Sequence, residues 1–71
     1  MLYEAIIETI VPLGPEPMQK HFEEIETDDP IEYVKKHCKF PIMEIDENRF
    51  GEKVITCGDG SGYVTRYIFS E

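Results

Sequence analysis

One helix start interrupts a chain that otherwise consists of short β-type runs, and this pattern restricts the fold more than any other feature. Asp29 occupies the N-cap position, Pro30 follows at the first helical position, and Glu32 stands three residues after the cap. This combination is the signature of a capping box. The sequence therefore predicts one helix from Pro30 to about Lys39, because Pro41 disfavours helical backbone at the residue before it.

The predicted helix has one apolar face and a basic end. Ile31, Val34 and Cys38 recur at spacings of three and four residues, which places them on one side of a helix. Lysines occupy the last turns, where the helix dipole favours cations. We therefore expect the apolar side to pack against a sheet.

Two β-type runs precede the helix. In the run from Leu2 to Val11, the odd-numbered residues form an apolar face, and the even-numbered ones form a face of mixed polarity. This alternation indicates a strand. The segment from Pro12 to Pro17 contains three prolines and a glycine, and predicts a turn. Met18 to Thr27 carries apolar residues at helical spacing, but it lacks an N-cap, matches the first strand in length and runs directly into the capped helix. We interpret it as a strand, with a helix as the alternative.

Three further β-type runs follow the helix. Ile42 to Asp46 predicts a short strand, and Glu47 to Glu52 predicts a turn or a bulged connection. Lys53 to Cys57 and Tyr63 to Phe69 flank the glycine-rich tip from Gly58 to Gly62, so they predict a hairpin.

These elements predict a single α+β domain over residues 1–71, in which a small antiparallel sheet of about five strands carries one helix on one face. The predicted order is β-β-α-β-β-β. The last strand is apolar on both faces, since it carries Tyr67 and Phe69 on one face and Val64 and Ile68 on the other. One helix covers only one face, so we expect either that the sheet curls or that a second chain packs on it as a homodimer.

The chain is strongly acidic, with 15 Asp and Glu against 7 Lys and Arg and a formal charge of −8. A field of one sign repels phosphate backbones and anionic lipid headgroups and attracts basic surfaces. We therefore expect no direct contact with nucleic acid or membrane, and a basic protein as partner. The predicted partner-binding residues are Glu23, Glu24, Glu26, Asp28, Glu44, Asp46 and Glu47. The simpler interpretation of the same acids is a solvated strand edge next to a capped helix.

No motif for catalysis, metal or cofactor binding withstands inspection. His21, His37, Cys38 and Cys57 are the only soft metal ligands, and they lack the close pairing of structural zinc sites. Aligned with a calcium-binding loop, the glycine-rich tip places Ile68 where a bidentate acid is required. We therefore expect a protein without cofactor or metal that is not an enzyme.

The leading functional hypothesis is a small interaction protein that binds, and by binding inhibits, a basic nucleic-acid-handling protein. The alternative is an assembly subunit that forms a homo-oligomer through its C-terminal hairpin. Glu4 and Glu8 interrupt the first apolar run, so it predicts neither a signal peptide nor a membrane span, and we expect a cytoplasmic protein. We expect reduced thiols in that compartment, although the sequence leaves one bridge between Cys38 and Cys57 open.

The net charge generates a first prediction. Added salt should raise the melting temperature, because screening weakens the repulsion among carboxylates that opposes the compact state. Circular dichroism between about 20 mM and about 500 mM NaCl measures this effect, in a range where the screening length shortens several-fold. A melting temperature that stayed constant or fell with salt would contradict the prediction.

Overall fold

The structure, a computed structural model, describes residues 1–11, 18–60 and 62–71. Its elements are β1 (Leu2–Ile10), β2 (Met18–Glu26), α1 (Pro30–His37), β3 (Ile42–Glu47), β4 (Lys53–Gly58) and β5 (Val64–Ser70). The predicted order of elements is confirmed, and the ambiguous second run is a strand. The turn predicted between Pro12 and Pro17 lies outside the described residues.

The five strands form one antiparallel sheet in the order β2-β1-β5-β4-β3. The first and the last strands of the chain are neighbours, and their pairing joins the two halves of the sequence. The C-terminal hairpin of β4 and β5 is confirmed. It lies inside the sheet, because β1 pairs with one of its edges and β3 with the other. The exposed edges belong to β2 and β3.

The helix begins at the predicted cap and ends slightly earlier than predicted. Asp29 Oδ1 accepts hydrogen bonds from the amides of Ile31 at 3.1 Å and Glu32 at 3.4 Å. In a capping box, the side chain of Glu32 would accept a hydrogen bond from the backbone amide of Asp29. Here that amide donates instead to Thr27 Oγ1 at 3.1 Å. The helix ends at His37, with Cys38 as its extended C-cap residue.

Glycines with positive φ occur in the connections on both sides of β4. Gly60 and Gly62 have φ values of 85° and 102° at the tip between β4 and β5, and Gly51 has a φ of 80° between β3 and β4. In the second of these connections, Asn48 Oδ1 accepts from the amides of Phe50 and Glu52. The turn predicted between Glu47 and Glu52 is therefore present. A separate irregularity lies in β3, where the register with β4 shifts between Ile42 and Glu44.

One face of the sheet, which we call the core face, holds the buried apolar side chains. Tyr3 and Tyr33 meet the ring of Phe69 edge-on, with centroid distances of 5.8 Å and 6.3 Å. Val34 is the helix residue in this cluster and is fully buried. The cluster consists of Ala5, Ile25, Val34, Ile55, Cys57, Tyr67 and Phe69.

Both cysteines are free thiols, and Cys57 is fully buried in the core. Burial raises the pKa of the Cys57 thiol to about 12, and a hydrogen bond with Cys38 contributes to the same shift. Burial also raises the pKa of Tyr67 to about 12. Both groups are therefore held in their neutral forms in the folded state.

None of the helices formed by the described residues is long and apolar enough to cross a bilayer.

The buried thiol and phenol predict a loss of stability at alkaline pH. Unfolding releases these groups to their ordinary pKa values of 9.0 and 10.0, whereas in the fold both pKa values are about 12. Their contribution to the free energy of unfolding is thus complete below pH 9 and is lost progressively as pH rises toward about 12. Melting temperatures from about pH 8 to about pH 11 should fall, and less steeply for Cys57→Ala than for the unmodified chain. Parallel curves for the two proteins would contradict the assignment to Cys57.

Candidate functional site

The second face of the sheet, which we call the open face, carries the even-numbered side chains of β1 and their register partners. An apolar row crosses it, in which Phe22 of β2, Ile6 of β1, Ile68 of β5 and Val54 of β4 are successive cross-strand neighbours. Phe22 is 71% exposed and the other three are half-buried. An antiparallel sheet with one solvated face normally alternates to polar residues there, so this row is unusually apolar.

An ion-pair row lies next to the apolar row. Glu8 of β1 is opposite Lys20 of β2 on one side and opposite Arg66 of β5 on the other. Its Oε1 atom lies 3.2 Å from Arg66 Nη1, and its Oε2 atom lies 3.5 Å from Lys20 Nζ. Glu8 is only 7% exposed and is the one buried side chain of the open face among the described residues. Two cations therefore compensate the charge of this carboxylate within the sheet.

All seven acids predicted to bind a partner are exposed, but strand alternation separates them. Four of them lie on the open face at its two edges, Glu24 and Glu26 on β2 and Glu44 and Asp46 on β3. Glu23 and Glu47 lie on the core-face side of the same two strands, and Asp28 follows the end of β2. With strands about 4.8 Å apart, the two acidic edges of the open face are about 19 Å from each other.

Four of the predicted acids have local partners. Asp46 Oδ1 accepts a hydrogen bond from the backbone amide of Glu47 at 2.8 Å. Glu26 Oε1 and Asp28 Oδ1 lie 3.0 Å and 3.4 Å from the backbone nitrogen of Met1. Glu23 Oε2 lies 3.6 Å from His21 Nε2. These contacts are exposed and contribute little to stability.

Glu4, which is not among the residues predicted to bind a partner, joins the acidic edge of β2. It is the register partner of Glu24, so two carboxylates face each other directly across β1 and β2. Like charges in this position are unfavourable. The ion pairs of the described residues include neither carboxylate. The sequence does contain a signal for its position, because Glu4 alternates with Ile6 and Glu8 along the strand and therefore lies on the same face.

Two shallow grooves combine apolar floors with acidic walls. One, of about 310 Å³, has Val54 and Ile68 on its floor and Glu44 and Asp46 along one side, and Thr56 and Arg66 complete its lining. The other, of about 320 Å³, lies at the β2 side and is lined by Glu4, Ala5, Ile6, Phe22, Glu23, Glu24 and Ser70. Ile68 lines the first groove and its cross-strand neighbour Ile6 lines the second, so the two grooves adjoin at this pair.

The open face as a whole is negatively charged. Six carboxylates, including Glu8, stand against Lys20 and Arg66, which leaves a net charge of −4. The long stem of a lysine or arginine can lie on an apolar floor while its charged group meets a carboxylate at the wall. The arrangement is therefore complementary to an apolar surface bordered by cations.

Within residues 1–11, 18–60 and 62–71, no three His, Cys, Asp or Glu side chains are grouped so that they could hold a metal ion. His37, one of the candidate ligands considered from the sequence, stacks on Tyr33 with a centroid distance of 4.1 Å.

Comparison of the chain with known proteins finds no matching family model, no similar curated protein and no similar solved structure. The function must therefore be argued from the geometry of the site itself.

The buried carboxylate of the open face generates a stability prediction. Glu8→Gln should lower the free energy of unfolding by about 1 kcal/mol, because it leaves Arg66 and Lys20 adjacent without their counter-charge. Urea denaturation measures the change. Glu24→Gln on the same face is the matched control and should not be destabilising, since Glu24 is exposed and faces another carboxylate. Equal stabilities of Glu8→Gln and the unmodified chain would contradict a structural role for the ion-pair row.

Proposed function

We propose that this chain is a small, non-enzymatic interaction protein that binds a basic protein partner through the open face. The observation that carries the proposal is the combination, on one face, of an exposed apolar row with acids at both edges. The contacting residues are Glu24, Glu26, Glu44 and Asp46 from the predicted set, with Glu4, Phe22 and Ile68 added by the geometry.

The electrostatics of the face supports a basic partner over an acidic one. A net charge of −4 repels phosphate backbones and anionic membranes, and it attracts lysine- and arginine-rich surfaces. Basic surfaces of this kind are typical of nucleic-acid-handling proteins. The proposed effect of binding is inhibition, because an acidic protein that occupies a phosphate site excludes nucleic acid from it.

The alternative proposal is a homo-oligomer built through the C-terminal hairpin. Val54, Val64 and Ile68 give that hairpin an apolar open side, which favours association. Both edges of the hairpin are paired within the chain, so only face-to-face packing is available to it. Such packing brings two faces of −4 together, which is why we rank it second.

We further propose that α1 lies across the core face, which leaves the opposite face for the partner. The burial of Val34 and the edge-on contact of Tyr33 with Phe69 support this placement. A cytoplasmic location agrees with the free thiols of Cys38 and Cys57.

The experiment compares two double charge reversals, one on the open face and one away from it. Glu24→Lys with Asp46→Lys changes one residue on each edge of the open face. Glu32→Lys with Glu47→Lys makes the same charge change at exposed acids of α1 and of the core-face side of β3. Partners captured from a cell extract by the unmodified chain should be lost from the open-face variant and kept by the control variant. Their binding should weaken from about 50 mM to about 500 mM NaCl.

Thermal melts of both variants establish that each is folded before binding is compared. Equal retention of the partner by the two variants would show that the open face is not the binding surface. Light scattering of the unmodified chain at micromolar concentration tests the alternative, because a dimeric mass there favours the homo-oligomer.

A further inference from the structure

We infer that the binding element of the partner is an amphipathic helix with basic residues on both sides of its apolar stripe, lying along β1 and β5 on the open face. This inference rests on the proposed function, because it specifies the partner of the same face. It adds the secondary structure, orientation and charge pattern of the bound segment.

The lateral arrangement of the open face requires an element with three contact zones. The neighbouring Ile6 and Ile68 form an apolar centre over β1 and β5. The groove beside β3 lies on one side of this centre, and the groove beside β2 lies on the other. An element above the centre must therefore present apolar side chains downward and cations to the left and to the right.

The dimensions of the face match a helix. A helix with its side chains is about 10 Å wide, whereas the acidic edges are about 19 Å apart. Lysine or arginine side chains extending obliquely from both flanks bridge the remaining few ångströms on each side, with their stems on Ile6, Phe22 and Val54. A helix centred near β1 and β5 thus reaches both edges at once.

The backbone argues against an extended segment in the same position. A sheet face offers no backbone partners, so a single strand lying on it would bury amide and carbonyl groups without hydrogen bonds. A helix satisfies these groups internally. A second copy of this chain would bring its own net charge of −4 against the same face.

The acids of the two edges set the length of the bound helix. Glu26 and Glu24 of β2 lie opposite Leu2 and Glu4 of β1. Asp46 and Glu44 of β3 lie at the levels of Ile6 and Glu8 of β1. The acids therefore extend over six residues of strand, which is about 20 Å or about 14 residues of helix. Toward Ile10 the β2 side carries Lys20 instead, so the bound helix lies over the half of the face that contains Glu4 and Ile6.

Three synthetic peptides of identical composition test the inference, with the full chain as the binding protein. Each contains about 16 residues of Leu, Ala, Gln and Lys, a length sufficient for about four helical turns. The first has lysines on both sides of a leucine stripe, the second has all lysines on one side, and the third has a scrambled order without a stripe. The two-sided peptide should bind about tenfold more tightly than either other peptide at low salt, and should gain helicity on binding.

Variants of the chain identify where the two-sided peptide binds. Val54→Thr, which keeps the side-chain shape but replaces a methyl group with a hydroxyl, should weaken binding of the two-sided peptide and leave binding of the scrambled peptide unaffected. Glu24→Lys with Asp46→Lys should weaken all three peptides. Glu32→Lys with Glu47→Lys, the matched control, should retain the preference for the two-sided peptide.

The outcomes separate this inference from the proposal on which it rests. Equal binding of the two-sided and scrambled peptides, abolished by the open-face reversal, would overturn the helix and leave the basic partner standing. Equal binding of the two-sided and one-sided peptides would overturn the two-flank geometry. Binding of no basic peptide at low salt would overturn both the inference and the proposed function.

Discussion

The pairing of the first strand with the last is the interaction on which the rest of the structure depends. Without it, β1 and β2 would form an isolated two-stranded unit, which is marginally stable at best, and β3 to β5 would form a separate three-stranded unit. Seven register pairs join β1 to β5. The edge-on contact of Tyr3 with Phe69 reinforces the join on the core face, and the ion pair of Glu8 with Arg66 reinforces it on the open face. Both faces of the sheet thus depend on the pairing of β1 with β5.

The pairing of β1 with β5 also gives the two faces different chemistry. On the core face, it brings Ala5 opposite Phe69 and supports a cluster that buries Val34 of the helix. On the open face, it brings Ile6 opposite Ile68 and Glu8 opposite Arg66, so apolar and ionic rows alternate along the strands. The exposed edge of β2 carries several charges, which also protects a nine-residue edge strand from pairing with other chains. The acids there have a structural use as well as the proposed binding role.

Local signals predicted the elements, whereas the site depended on information that only the sheet order supplies. Asp29 and Pro30 identified the helix start, and the glycine-rich tip identified the hairpin, because caps and turns are determined by neighbouring residues. The acidic run of β2 looked like one cluster in sequence, but strand alternation sends Glu23 and Glu24 to opposite faces. The approach of Glu8 to Arg66 required the pairing of residues far apart in the chain. No local pattern contains that pairing.

The difference in exposure between the two faces is the central claim, and methyl NMR with a soluble paramagnetic probe tests it most directly. The methyl signals of Val54, Val64 and Ile68 should broaden strongly on adding the probe, because these side chains lie on the open face. Those of Ala5, Val34 and Ile55 should remain sharp, because these side chains are buried in the core. Equal protection of both groups in the isolated chain would mean that the open face is covered in solution, and would contradict its assignment as a free binding surface.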